Sequence, residues 1–215
     1  MKTLYITSAC LAVALLSLTG FVLASERAGK SSVFGTMVVK EAKRPAGFPS
    51  PTPVGKVEIK KYPQTRSASV NAKDVDQGEM FQSLFRHIKK NKIAMTAPVI
   101  MEYGTGGTNQ MEFLYASPQL GSQGVDGTVL VKDTPALTVI SIGVRGNYSR
   151  ERFEKNKSIL TKWLSEHKNE WIASGNARYL GFNSPFVPSF MKYGEVQVPV
   201  TPASANVINI SSSGR

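Results

Sequence analysis

The chain has 215 residues, 26 of them Lys or Arg against 15 Asp or Glu, for a net charge of +11. That length supports one sizeable core with tails, and a single cysteine, Cys10, excludes a disulfide framework. The positive charge favours anionic partners, namely carboxylate-bearing ligands, anionic lipid or the cell envelope. A nucleic-acid role lacks an RGG tract, zinc-ligand spacing or an RNP-type aromatic motif.

From Thr3 to Ser25 the chain carries no charge. Lys2 supplies a positive start, Leu11–Leu16 an apolar stretch, Gly20 a helix break, and Val22-Leu23-Ala24 small residues ahead of a cut at Ser25. Residues 1–24 therefore read as a secretory signal peptide, with export to a periplasmic or secreted location. The competing reading is an uncleaved membrane anchor over residues 4–24, because the uncharged run is long enough to span a bilayer. Cleavage removes Cys10, and with it thiolate chemistry, and leaves a charge of 25 − 15 = +10.

Residues 25–54 read as a Pro-rich linker or N-terminal extension holding one β-prone stretch, Ser31 to Val39, before Pro45, Pro49, Pro51 and Pro53 enforce an extended path. The body, 55–200, opens with strand-like alternation over Lys56 to Val70. Asp76 can cap a helix in which Met80, Phe81, Leu84, Phe85 and Ile88 form one stripe. Arg86, Lys89, Lys90 and Lys92 fill its last turn, where cations complement the helix dipole. Strands are expected at Ile93–Tyr103 and Met111–Ala116, around a glycine-rich turn at 104–107. Then come strands at Gly127–Lys132 and Leu137–Val144, a helix capped by Ser149 with Phe153, Leu160, Trp163 and Leu164 on one face, and strands at Ala177–Phe182 and Gly194–Val200. Residues 201–215 are small and polar, and read as a disordered tail.

Each half of the body thus reads strand, helix, strand, strand. Ala97-Pro98-Val99 answers Ser184-Pro185-Phe186, and Met111-Glu112-Phe113 answers Gly194-Glu195-Val196. The expected fold is α+β: a duplicated unit forming a distorted, strongly twisted β-barrel with two flanking helices. A groove between such halves is a natural small-molecule site.

The acid–base inventory is thin. His87 and His167 are the only histidines, and no G-x-S-x-G, H-E-x-x-H or phosphate-cradling loop is present. His87 reads as a solvated boundary residue and otherwise as a weak metal-ligand candidate; His167 reads as a partly buried helix end. Glu112 and Glu195 occupy matching strand positions. Each either points outward or faces a pocket or an ion-pair partner.

Several segments in order resemble the SOUL haem-binding family. They are Val57-Glu58-Ile59-Lys60-Lys61-Tyr62-Pro63, the helix Phe81–Ile88, Lys92-Ile93-Ala94-Met95-Thr96-Ala97-Pro98-Val99, Arg178–Pro185 and Tyr193-Gly194-Glu195-Val196. The resemblance implies a duplicated α+β barrel that holds a tetrapyrrole, haem or metal-free porphyrin, in an apolar groove with basic residues near its propionates. On this chain it implies Phe81, Leu84 and Phe85 against the macrocycle and Arg86 at a propionate. Lys89 and Lys90 join them on charge alone. Some relatives carry a histidine where this chain has Lys61, so axial ligation by that route is excluded. His87, Met95 or a tyrosine remains as a ligand, or the ring is held without a strong one. The expectation is a non-catalytic tetrapyrrole-binding protein. Its alternative is a module for lipophilic cations, as in drug-sensing effector domains, using an inward Glu195. An enzyme on tetrapyrroles or small esters is a third class, against which the missing catalytic constellation counts.

Overall fold

The computed structural model describes residues 41–71, 76–104 and 107–204. The expected signal peptide, the 31–39 stretch and the tail beyond 204 lie outside the described residues. Ten strands form one antiparallel sheet: β1 (Val57–Tyr62), β2 (Thr65–Asn71), β3 (Val99–Gly104), β4 (Gly107–Leu114), β5 (Gly124–Asp126), β6 (Val129–Thr134), β7 (Leu137–Arg145), β8 (Trp171–Ala173), β9 (Arg178–Gly181) and β10 (Tyr193–Pro202). Among the described residues, two α-helices, α1 (Gln77–Lys90) and α2 (Arg150–Glu166), accompany the sheet. The α+β expectation holds, although the strand order β1-β7-β10-β9-β3-β4-β2-β6-β5 leaves the sheet unclosed. Among the described residues, no helix is long and apolar enough to cross a membrane.

The duplication is visible in the ladder. β2-β4-β3 meets β9-β10-β7 at a β3–β9 seam. Across it Ile100 faces Leu180, while Ile100 also faces Glu112 and Leu180 faces Glu195. One row, Glu112-Ile100-Leu180-Glu195, therefore crosses the sheet, and the two glutamates are indeed equivalent about the seam. The parallel between Ala97-Pro98-Val99 and Ser184-Pro185-Phe186 does not hold. Taking Ile100 onto Leu180 carries Ala97 onto Ala177, whereas Ser184–Phe186 lies in the β9–β10 connection.

The single strand expected over Lys56–Val70 is bent at Pro63-Gln64, where proline cannot donate to the ladder. Register survives the bend: Tyr62 faces Leu137 and Thr65 faces Thr134, three residues on in one strand and three back in the other. The two long bent strands wrap the sheet upon itself. β3 starts at Val99 rather than Ile93, after a cis Ala97–Pro98 peptide. β10 runs on through Pro202, so the expected tail begins as strand.

Side chains alternate between two faces. The helix-covered face carries the main core: Val70, Met101, Phe113, Val131, Ile142, Tyr179 and Val196 beneath Met80, Leu84, Ile88, Phe153 and Leu160. Each such side chain contributes roughly 1.5–3 kcal/mol by leaving water. Asp76 caps α1 by accepting from the Glu79 N–H at 2.9 Å, and Ser149 caps α2 by accepting from Arg152 N–H at 3.3 Å. The opposite face is polar. It holds Lys60, Ser67, Ser69, Ser141, Glu195 and Gln197, all buried, beside a small cluster of Ile100, Leu114, Leu180, Phe182 and Tyr193.

Residues 41–54 correct the linker expectation. They form a strap on this polar face, with Phe48 edge-on to Tyr62 at 4.8 Å and Thr52 fully buried. Gly143 on β7 permits the approach, because a Cβ there would stand 2.2 Å from the Thr52 carbonyl oxygen. Prolines prevent the strap from joining the sheet as a strand; they do not stop it from packing.

Candidate functional site

A groove of about 710 Å³ opens where the two halves meet on the helix-covered face. Its floor is Val99 and Met101 of β3, Met111 of β4 and Gly181 of β9; α1 contributes Gln77 and Phe81 as one wall, and Asn147 and Tyr148, ahead of α2, form the other. Met95-Thr96-Ala97, Phe182–Pro185 and the strap residues Glu41–Lys43 close the ends. The volume is that of a small-molecule site.

The floor stays apolar because alternation along β3 sends Val99 and Met101 to the helix side, leaving Ile100 for the other face. Phe81 flanks the α1 stripe and rests edge-on against Phe113 at 5.0 Å. Tyr148 is fixed as an inert wall: its hydroxyl donates to the Tyr193 carbonyl and accepts from the Asn183 N–H, both at 2.8 Å. Burial pushes its pKa up to about 12. Two cations line the groove, Lys43 and Lys192. Glu41 is clasped by Ser184, whose N–H and hydroxyl both donate at 2.7 Å. Burial acts to raise the Glu41 carboxyl, but the Ser184 and Asn183 hydrogen bonds and the Lys192 charge outweigh it and hold it below the usual range.

Of the residues expected against the macrocycle or its propionates, Phe81 alone lines this groove; Met95, expected as a candidate iron ligand, lines it as well. Leu84 is 0 % exposed beneath α1 and is core. Phe85 stacks on Phe81 at 6.0 Å one turn further along, with the Lys89 ammonium 5.2 Å from its ring. Arg86 folds back, its Nε donating to the Gln82 carbonyl at 3.3 Å. Lys90 binds Asp126 at 2.9 Å. The basic run at the end of α1 serves the helix terminus and its neighbours rather than the groove.

His87 corrects the solvated reading, since it is 7 % exposed and both ring nitrogens are engaged. Nδ1 lies 2.8 Å from Asp126 and Nε2 lies 2.8 Å from the Tyr115 hydroxyl. A carboxylate only accepts, so Nδ1 carries a proton toward Asp126, and in the neutral ring Nε2 accepts from Tyr115. Lys90 first and His87 second push the Asp126 carboxyl down to about 2. These contacts tie α1 to β5 and to Tyr115, one residue past β4, and occupy both ring nitrogens, which leaves no lone pair free for iron. His167 is half-buried, as expected, and stacks on Trp163 at 3.8 Å.

Glu195 faces inward, 0 % exposed, on the other face from the groove. Lys60 Nζ reaches its two oxygens at 2.9 and 3.0 Å, Thr52 N–H and Gln197 Nε2 donate at 2.8 Å, and the Ser141 hydroxyl donates at 2.9 Å. A carboxylate so saturated has no capacity left for a lipophilic cation. Glu112, its equivalent, is half-buried and accepts from Ser67 at 2.9 Å, with Lys132 at 3.8 Å.

Sequence reasoning missed Met101, Met111, Lys43 and Lys192. The resembling segment Lys92–Val99 was the available signal, since Met95, Thr96, Ala97 and Val99 all line the groove. Lys61, in place of a relative's histidine, stands exposed on β1 and does not line it.

Comparison with known proteins agrees with this fold. The fold is similar to the crystal structure of the EcmrR C-terminal domain, with TM-score 0.51 and 17 % identity over 68 % of this chain and 97 % of that one. A hydrolase from Listeria innocua is similar at TM-score 0.52 and 12 % identity, over 71 % and 94 % of the two chains. An EcmrR–DNA complex is similar at TM-score 0.53 and 16 % identity, over 92 % and 69 %. At these identities the likeness extends to fold alone. No curated protein sequence matches. The family described as SOUL heme-binding protein matches residues 50–199, which span both halves and all of the groove lining except Glu41–Lys43, and the chain belongs to that family.

Proposed function

We propose that the chain is a non-catalytic carrier or buffer of tetrapyrroles, haem and metal-free porphyrin alike, exported by its N-terminal segment. The observation that carries this reading is the apolar groove between the halves with Lys43 and Lys192 at its edge. A porphyrin is a flat apolar disc with two carboxylates on one side. Phe81, Val99, Met101 and Phe182 suit the disc, and the two ammonium groups suit the carboxylates.

The fit extends to the metal only weakly. No histidine lines the groove, and thioethers of Met95, Met101 and Met111 are the soft donors within it. A bound haem would supply its own iron chemistry; these residues bind and orient the ring and keep water from its faces. Ring burial therefore dominates affinity, and a metal-free porphyrin binds nearly as well as haem. The cation-binding alternative loses its carboxylate, because Glu195 is spent on Lys60.

Absorbance titration with haemin and with protoporphyrin tests the reading. Phe81→Ala weakens both by roughly tenfold, the loss expected for one buried ring. Lys43→Gln with Lys192→Gln weakens both and flattens the salt dependence of what remains. Arg86→Gln, Lys89→Gln and Lys90→Gln together leave affinity unchanged, and His87→Ala leaves the Soret position unchanged. The opposite pattern, loss with the α1 cations and none with Phe81, moves the ligand to the outer surface of α1 and refutes the groove.

A further inference from the structure

The β9–β10 connection is longer than the fold requires. In the first half β3 ends at Gly104 and β4 begins at Gly107; in the second, β9 ends at Gly181 and β10 begins only at Tyr193. The extra residues read Phe-Asn-Ser-Pro-Phe-Val-Pro-Ser-Phe-Met-Lys, with one cation and no acid. Phe186 is 94 % exposed and Phe190 69 %. Among the described residues, these are the only aromatic side chains so exposed. Two aromatic side chains left this exposed on one short segment gain little from burial in the fold, and exposed large apolar groups are the material of interaction surfaces.

The tip is also built to hold its shape. Tyr193 N–H donates to the Asn183 side chain at 2.8 Å, Arg145 donates to the Met191 carbonyl at 2.8 Å, and residues 189–191 form a 3-10 turn. Cations surround its base: Lys192 and Arg145 beside it, and Lys43 across the groove, where Ser184 clasps Glu41, the acid at that edge.

We propose that this tip is a membrane wedge: Phe186 and Phe190 insert at the interface of an anionic lipid bilayer while Lys192 and Lys43 meet the headgroups. Aromatic rings with a flanking basic shell are the chemistry of interfacial binding, and each cation near an anionic surface adds to it. Ser184, Pro185 and Lys192 also line the groove, so docking sets the groove mouth at the lipid surface. Lys43 and Lys192 serve both the groove and the wedge, so the wedge is tested with the groove empty.

Because Thr3–Ser25 is itself uncharged and apolar, the test reads the tip directly, on the full chain. Phe186→Trp is mixed with brominated-lipid vesicles of phosphatidylcholine alone or with phosphatidylglycerol, against the parent chain with its two tryptophans. The added indole is quenched and blue-shifted on the phosphatidylglycerol vesicles. Introducing Lys43→Gln and Lys192→Gln lowers that signal's vesicle affinity by roughly tenfold or more. An unquenched indole on both vesicles overturns the wedge and leaves the tip as a protein-docking loop. Quenching that is indifferent to phosphatidylglycerol and to the two lysines overturns it as well. No tetrapyrrole is present, so this result and the haemin titration fail separately.

Discussion

Lys60→Met isolates the charge of Glu195 inside the polar face. The two groups stand 2.9 Å apart at 5 % and 0 % side-chain exposure. At an effective dielectric of about 20 their attraction is of order 6 kcal/mol, a figure that desolvation of both ions largely cancels. Removing the lysine keeps the desolvation of Glu195 and deletes its offset. The Thr52, Ser141 and Gln197 donors remain, and they soften the loss without neutralising it. The expected destabilisation is about 3–5 kcal/mol, or about 6–20 °C in Tm for a chain of this size. Adding Glu195→Gln to Lys60→Met removes the stranded charge while the amide oxygen still accepts from Thr52 N–H, and restores most of the loss. The assay is urea and thermal unfolding of parent, both single variants and the double, read as a double-mutant cycle. A Lys60→Met cost below 1 kcal/mol, or a double variant no better than the single, would refute the buried pair. It would then reopen Glu195 as a cation site.

Further outcomes follow from neighbouring features. Gly143→Ala forces a Cβ against the Thr52 and Pro53 carbonyls; it lifts the strap and costs about 1–3 kcal/mol, the price of orphaning buried polar groups, with faster amide exchange at Thr52 as the signature. Tyr179→Phe is neutral or stabilising by up to about 1 kcal/mol in thermal unfolding, because its buried hydroxyl has no hydrogen-bond partner among the described residues. Asp126, held down to about 2 in the folded chain by Lys90 and then His87, contributes stability that is present above its unfolded value near 4 and lost as pH falls from about 4 to 2. Acid titration of Asp126→Asn followed by circular dichroism therefore lacks that part of the parent's loss in this window.

The fold was legible where periodicity was long. Alternation over β1–β2 and β7, the apolar stripes of both helices, and the repeat of strand, helix, strand, strand determined the class and the duplication, and Glu112 and Glu195 matched as equivalents; the β3–β9 seam itself was not legible. The short edge strands β5 and β8 escaped because three residues cannot display a period. The strap was misread because four prolines signal an extended path but say nothing of what it packs on; its buried contact, Thr52 with Glu195, spans 143 positions. His87 was misread for the same reason, since its partners lie 28 and 39 positions away. In the groove, Phe81 and the Lys92–Val99 segment were legible, while Lys43 and Lys192 sit alone on separate segments with no local pattern to distinguish them from other surface cations. Helical spacing put Leu84 with Phe81, but only packing decides which side of the stripe is sealed.

The groove itself is tested most directly by its methionines. With ε-methyl-labelled methionine and a diamagnetic porphyrin such as zinc protoporphyrin, ring currents report which methyl groups lie against the macrocycle. The resonances of Met95 and Met101, which line the groove, move strongly upfield, while Met80, sealed beneath α1, stays nearly still. Saturable porphyrin binding with Met95 and Met101 unmoved would contradict the account, for the ring would then lie somewhere other than between the two halves.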